Sequence, residues 1–142
     1  DRPIEPEKME RILKAGQVAP TAVNYQPQKI YVLKSSEAIR EIRSLTRFAY
    51  DAPVVLLCCA DIAKAWKSPV ESGYNTGEMD VSIVCTHMML EAWELGYGAL
   101  TQDRWQRSLI CRSTSSPSVC CPLATPARTL LPMPPGITAI VR

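Results

Sequence analysis

Apolar positions recur along this chain first at helical and then at strand spacing, and the changes of spacing mark out its elements. Met9, Ile12 and Leu13 share a helical face behind the polar opening Ile4-Glu5-Pro6-Glu7-Lys8. Proline is tolerated in a first helical turn, and Glu there suits the positive end of the helix dipole. A first helix is therefore expected, fading at Val18-Ala19-Pro20. Residues 20–28 (PTAVNYQPQ) carry prolines and side-chain amides without periodicity and read as a loop. Residues 29–33 (KIYVL) form a short β-rich run. Ser36 suits the N-cap of a second helix with Ile39, Ile42 and Leu45 on one face. After Ala52-Pro53, residues 54–60 (VVLLCCA) show no polar alternation, as expected of a central strand covered on both faces. Residues 66–77 (WKSPVESGYNTG) read as a mobile excursion. The strongest helix spans residues 78–95, with Asp80 near its start, Val84, Met88, Ala92 and Leu95 through its body, and Gly96 at its C-terminal cap. Its apolar residues cover more than one face (Ile83, Met89 and Trp93 among them), which predicts burial between the sheet and a second subunit. Helix, strand, helix, strand, helix makes the fold α+β or α/β.

Bulk composition narrows the class. With 142 residues, 46% apolar and 21% charged, the chain suits one globular core. Its net charge of +2 gives no argument for nucleic acid or a membrane surface as partner. The longest apolar run, residues 52–60, has strand length and falls short of the roughly 18 residues of a membrane span. With no export leader in view, the expected location is cytoplasmic. Asp rather than Met at position 1 suggests a start inside a longer reading frame.

Composition also breaks near residue 100. Residues 1–100 hold 11 Lys or Arg against 13 Asp or Glu, whereas residues 101–142 hold five Arg and one Asp. That tail carries 6 of the 12 prolines and 3 of the 6 cysteines. The division expected is a domain over 1–99 and an atypical Pro/Ser/Cys-rich tail over 100–142. Cys58, Cys59 and Cys85 read as small buried hydrophobes of a reducing compartment. Cys111, Cys120 and Cys121 lack metal-ligand spacing, so no metal is assigned. His87, the only histidine, reads as a helix residue with a satisfied ring. Asp80, Glu78 and Glu91 suit helix surface, capping or interface better than acid–base catalysis.

Three stretches carry a resemblance. Residues 12–33 (ILKAGQVAPTAVNYQPQKIYVL), 52–61 (APVVLLCCAD) and 77–98 (GEMDVSIVCTHMMLEAWELGYG) resemble, in order and spacing, the first-helix loop, central strand and dimer-interface helix of the FMN-dependent nitroreductase family. The resemblance covers roughly residues 1–99. It implies an α+β nitroreductase-like fold, a central mostly antiparallel sheet flanked by helices and incomplete here. It also implies a homodimer through helix 78–95. The implied activity is ping-pong electron transfer from NAD(P)H through FMN to nitroaromatic or quinone-type acceptors. The flavin N5 does the chemistry, so no catalytic side chain is assigned. Pro20, Thr21, Asn24 and Gln26 are carried over as flavin contacts from the family's loop. Pro20 and Pro27 stiffen it, Thr21 offers a hydroxyl, and the two amides both donate and accept. The other reading of Asn24 and Gln26 is that they satisfy turn backbone.

Departures from the pattern shape what is expected. Gln28 stands where the family usually has an aromatic residue. The family's phosphate-binding Arg-x-Ser-x-Arg element would precede Asp1-Arg2-Pro3. Past Gly98 the sequence stops resembling the family, and the tail is expected to be out of frame or disordered. Taken from the third base of each codon, residues 110–129 can be rewritten as a family-like strand in which Cys120-Cys121 becomes Leu-Leu and Ala124-Thr125-Pro126 becomes Gly-Tyr-Pro. Weak or absent FMN binding is accordingly expected of these 142 residues, and the alternative function is an inactive fragment or a flavin-binding or dimerising scaffold unable to hold FMN tightly.

Overall fold

A computed structural model of the chain describes residues 4–45, 52–98 and 137–140. Helix α1 (Pro6–Val18) leads through a short 3-10 turn (Ala22–Asn24) into strand β1 (Gln28–Leu33), followed by helix α2 (Ser36–Leu45), strand β2 (Val55–Ala60), helix α3 (Gly77–Glu94) and strand β3 (Ile137–Ile140). The three strands form one antiparallel sheet in the order β2-β1-β3. This is the mixed fold expected, an antiparallel sheet flanked by helices.

Side chains alternate across a strand, so β1 feeds two cores. Ile30 and Val32 join Cys58 and Ala60 of β2 on one face, packed against Ile12 and Leu13 of α1 and Val81, Val84 and Met88 of α3. Tyr31 and Leu33 join Cys59 on the other, beneath Ala38, Ile39 and Ile42 of α2. The adjacent Cys58 and Cys59 thus enter opposite cores, and both are buried and outside any disulfide, as is Cys85. β2 is covered on both faces as its unbroken apolar run requires. Among the described strands, however, it lies at the edge and β1 is central, because only β1 pairs on both sides.

Local chemistry sets the element ends. Pro6 occupies the first turn of α1. The cap of α2 falls one residue earlier than expected: Ser35, not Ser36, accepts the Ala38 amide on its hydroxyl at 3.2 Å. Ser36 instead opens the helix and donates to Glu37. At the end of α3, Gly96 adopts φ +82, which removes the Cβ penalty of a left-handed residue. The Tyr97 amide reaches back to the Ala92 carbonyl and the Gly96 amide to that of Trp93, closing the helix as a Schellman cap. The excursion over residues 66–77 is tied across its base: Thr76 N–H donates to Trp66 O and Ser68 N–H to Tyr74 O, each at 3.0 Å.

Most of the tail, including the rewritten stretch 110–129, lies outside the described residues. Its residues Ile137–Ile140 do form a strand, pairing with β1 from Ile30↔Ile140 to Leu33↔Ile137. The tail's six prolines all fall before this segment, so each residue of β3 keeps its amide for the ladder. Among the described residues no helix is long and apolar enough to cross a membrane.

Candidate functional site

The loop between α1 and β1 is short, bent and internally bonded. Val23, Asn24 and Gln26 take φ values of +48, +57 and +52. Asn tolerates this region, but a β-branched residue there is strained, and such strain persists only where surrounding bonds over-determine it. Those bonds are present. Asn24 N–H donates to Thr21 O at 2.9 Å and Tyr25 N–H to Ala22 O at 3.1 Å. Gln26 N–H donates to the Thr21 hydroxyl oxygen at 3.0 Å. The Gln26 side-chain amide donates to Asn24 Oδ1 at 2.9 Å and to Ala19 O at 3.3 Å. Beyond the bend, the Asp61 amide donates to Pro27 O at 2.8 Å, fastening the loop's exit to the end of β2.

Thr21, Asn24 and Gln26 are therefore brought into one hydrogen-bonded group, while Pro20 is an exposed neighbour at its entrance. Gln26 does satisfy turn backbone, through Ala19 O. Asn24 presents a different case: its Oδ1 accepts from Gln26, and its Nδ2 has no partner among the described residues. The Thr21 hydroxyl accepts from Gln26 N–H, and its own hydrogen has no acceptor among the described residues. Asn24 is exposed, and Val18, Val23 and Tyr25 beside it expose 65%, 66% and 56% of their surface. Two donor groups without a partner among the described residues, on an apolar rim, suit a flat ring with a polar edge. Residues 19–28 contain no Lys or Arg, so this loop has no cation for a phosphate.

Sequence reasoning puts Asp80 at a helix surface, cap or interface and does not connect it to this loop. Its carboxylate is 2% exposed and reaches out of the first turn of α3. One oxygen accepts the Ala22 amide at 2.8 Å, across 58 residues of sequence, and the other accepts the Thr76 hydroxyl at 2.9 Å. It pins the loop to the start of α3. No local pattern signals such a contact, though an acidic residue in a helix's first turn is favourably placed. Gln28, flagged as a departure, also joins the group by donating to Gln26 Oε1 at 2.6 Å. The other polar candidates lie elsewhere. His87 Nδ1 sits 2.9 Å from Ile83 O of its own helix. Glu91 pairs with Arg11 at 2.7 Å, tying α3 to α1 at the surface.

Comparison with known proteins places the chain. The family model described as "Nitroreductase family" matches residues 1–47 and 43–113, so the second segment continues past residue 99. A protein of Archaeoglobus fulgidus, provisionally named an NADH dehydrogenase/NAD(P)H nitroreductase, is 32% identical over 103 residues, which is 70% of this chain and 56% of that protein. The chain spans about half the length of the curated relatives it matches, 56% and 51%. Among solved structures, a nitroreductase family protein from Clostridium difficile 630 is 31% identical with a TM-score of 0.69, covering 90% of this chain and 76% of that one. An FMN-dependent nitroreductase from Clostridium difficile R20291 is 27% identical with a TM-score of 0.59, covering 73% of this chain and 58% of that one. On the family match and the shared fold together, this chain belongs to the nitroreductase family.

Proposed function

We propose that the chain serves an FMN-dependent oxidoreductase that passes electrons from NAD(P)H to nitroaromatic or quinone-type acceptors by a ping-pong mechanism, in a cytoplasmic homodimer built on α3. The observation that carries this reading is the strained loop, pinned by Asp80 and edged with unpaired donors. When bound, FMN supplies the redox centre at N5, and donor and acceptor use one pocket in turn. The loop's part is to bind and orient. Asn24 Nδ2 and the Thr21 hydroxyl would donate to carbonyl or nitrogen acceptors on the ring's polar edge, while Val23 and Tyr25 shield it from water. Pro20 limits the loop's freedom before binding, which lowers the ordering cost. Gln26, bonded on both sides of its amide, holds Asn24 in place.

The same geometry supports the dimer reading. Asp80 ties the loop to the start of α3, and α3 exposes Met79, Leu90 and Trp93. An interface along that helix carries the loop to the partner subunit. Cys58, Cys59 and Cys85, buried and outside any disulfide, accord with a reducing compartment.

The direct test titrates the purified chain with FMN by flavin fluorescence, then follows NADPH oxidation with and without a nitroaromatic. Saturable binding with acceptor-dependent oxidation is expected, both weakened in Asn24→Ala. Dimerisation without flavin binding would instead favour a scaffold.

A further inference from the structure

Three side-chain amides form a chain through the loop: Gln28 Nε2 donates to Gln26 Oε1, and Gln26 Nε2 donates to Asn24 Oδ1 and Ala19 O. An amide chain can run in either sense, and here one group decides it. Ala19 O is a backbone carbonyl and only accepts, so it requires Gln26 Nε2 rather than Oε1 beside it. Gln26 Oε1 then faces Gln28, which must offer its own nitrogen. At the other end Asn24 must accept on Oδ1, and its Nδ2 becomes the donor left over.

Gln28 meets this requirement at a cost. Its Oε1 is shielded from solvent and has no hydrogen-bond partner among the described residues. An unsatisfied buried acceptor is unfavourable, and nothing about strand β1 asks for it. The backbone of Gln28 pairs with Ala60 in the sheet, where an apolar or aromatic side chain would serve the strand as well. The side chain is therefore accounted for by the loop, not by the sheet.

We propose that Gln28 is a positioning residue: by donating to Gln26 Oε1 it locks the hydrogen-bonding sense that Ala19 O sets in the Gln26–Asn24 amide pair, and so presents Asn24 Nδ2 as a donor to the bound ring. This rests on the loop being the flavin contact. Without the Gln28 donor, Gln26 Oε1 loses its partner, the Gln26 amide is held by the longer 3.3 Å bond to Ala19 O and its bond to Asn24, and the orientation of Asn24 loosens.

The test uses the full chain labelled with nitrogen-15, with the side-chain amide signals of Gln26 and Asn24 followed by NMR and FMN affinity measured by fluorescence. Gln28→Leu should speed hydrogen exchange at the Gln26 side-chain amide and weaken FMN binding about fivefold, the loss of one ordinary hydrogen bond. Gln28→Glu adds a readout that mere packing would not move. Ionised, it cannot donate to Gln26 Oε1; protonated, it can. Its Gln26 signals should match those of Gln28→Leu near pH 8 and return toward wild type at about pH 4 and below, where an ordinary Glu carboxyl regains its proton. Gln26 signals unaltered in Gln28→Leu, or altered in Gln28→Glu without dependence on pH, would overturn the proposal. So would wild-type FMN affinity in Gln28→Leu when Asn24→Ala has weakened it. If Asn24→Ala leaves FMN affinity unchanged, the loop reading itself fails, and the proposal with it. Loss of the Gln26 amide contacts in Gln28→Leu would still locate that failure in the ligand rather than in the amide chain.

Discussion

At Asp80 a single carboxylate accepts from two segments that lie far apart in sequence, the loop at Ala22 and the end of the excursion at Thr76. Removing it strands two donors, one of them on a hydroxyl that is itself buried. Asp80→Ala should therefore cost about 2–3 kcal/mol in urea unfolding, the range for unsatisfied buried donors. Asp80→Asn keeps an acceptor for Ala22 and should cost only about 1 kcal/mol, the difference between a charge-assisted and a neutral bond. Equal losses in the two variants would show that the acceptor geometry is not what matters. Tyr31 gives a pH-dependent counterpart in the second core. Burial pushes its phenol above the ordinary value, with neighbouring Cys59 adding in the same direction. Above about pH 10 the unfolded chain releases this proton while the folded chain retains it. The stabilisation is complete below that pH and is lost as pH rises through the higher folded value. Comparing urea midpoints at about pH 9 and 11, wild type should lose more stability than Tyr31→Phe.

Among the elements, those legible in the sequence were those with a period. α1, α3 and both cores follow from apolar spacing, and the Gly96 cap from residue type alone. Position within the sheet was not legible, because an unbroken apolar run reports cover on both faces and says nothing of how many neighbours a strand has; β2 satisfied the first with β1 at the centre. β3 carries four residues and no alternation, too little to separate a strand from a chance run. Within the loop, resemblance singled out Thr21, Asn24 and Gln26, which the fold brings into one hydrogen-bonded group, but neither the strain at Val23 nor the long-range Asp80 contact has a local signature. Helix contact poses the same difficulty at Gly16, which reads as an unhelpful residue within α1. A Cβ there would lie 2.9 Å from Met88 Cγ and Sδ and 3.3 Å from Ile30 Cδ1. Gly16→Ala gains about 1 kcal/mol of helix propensity, while overpacking a buried contact costs about 1–3 kcal/mol. Met88 is 3% exposed and has little room to yield, so the cost should win by about 1 kcal/mol. A stabilised Gly16→Ala protein would mean that α1 and α3 separate without penalty.

On the scale of the whole molecule, α3 has two apolar sides and only one of them is covered within the described chain. Val81, Val84, Cys85, Met88 and Ala92 face the sheet and α1. Met79, Leu90 and Trp93 recur eleven and three residues apart, which returns each to the opposite side of a 3.6-residue turn. Met79, Leu90 and Trp93 expose 54%, 65% and 76% of their surface. An exposed Trp with aliphatic neighbours is the composition of an interface hot spot, where one truncation commonly removes 2 kcal/mol or more. Leu90→Asp places a charge within the stripe at a position solvated in the single chain, so it should leave folding intact while weakening self-association about thirtyfold. Sedimentation equilibrium would read the association, and far-UV circular dichroism the fold. Val70, 93% exposed but in the excursion rather than on α3, supplies the contrast: Val70→Asp adds the same charge off the stripe and should leave the assembly unchanged. If the flavin pocket is shared across that helix, Leu90→Asp must lower FMN affinity together with dimer affinity, because the loop pinned by Asp80 would lose the partner it reaches. A variant that stays monomeric yet binds FMN as wild type does would separate the two and remove the loop from the partner's site.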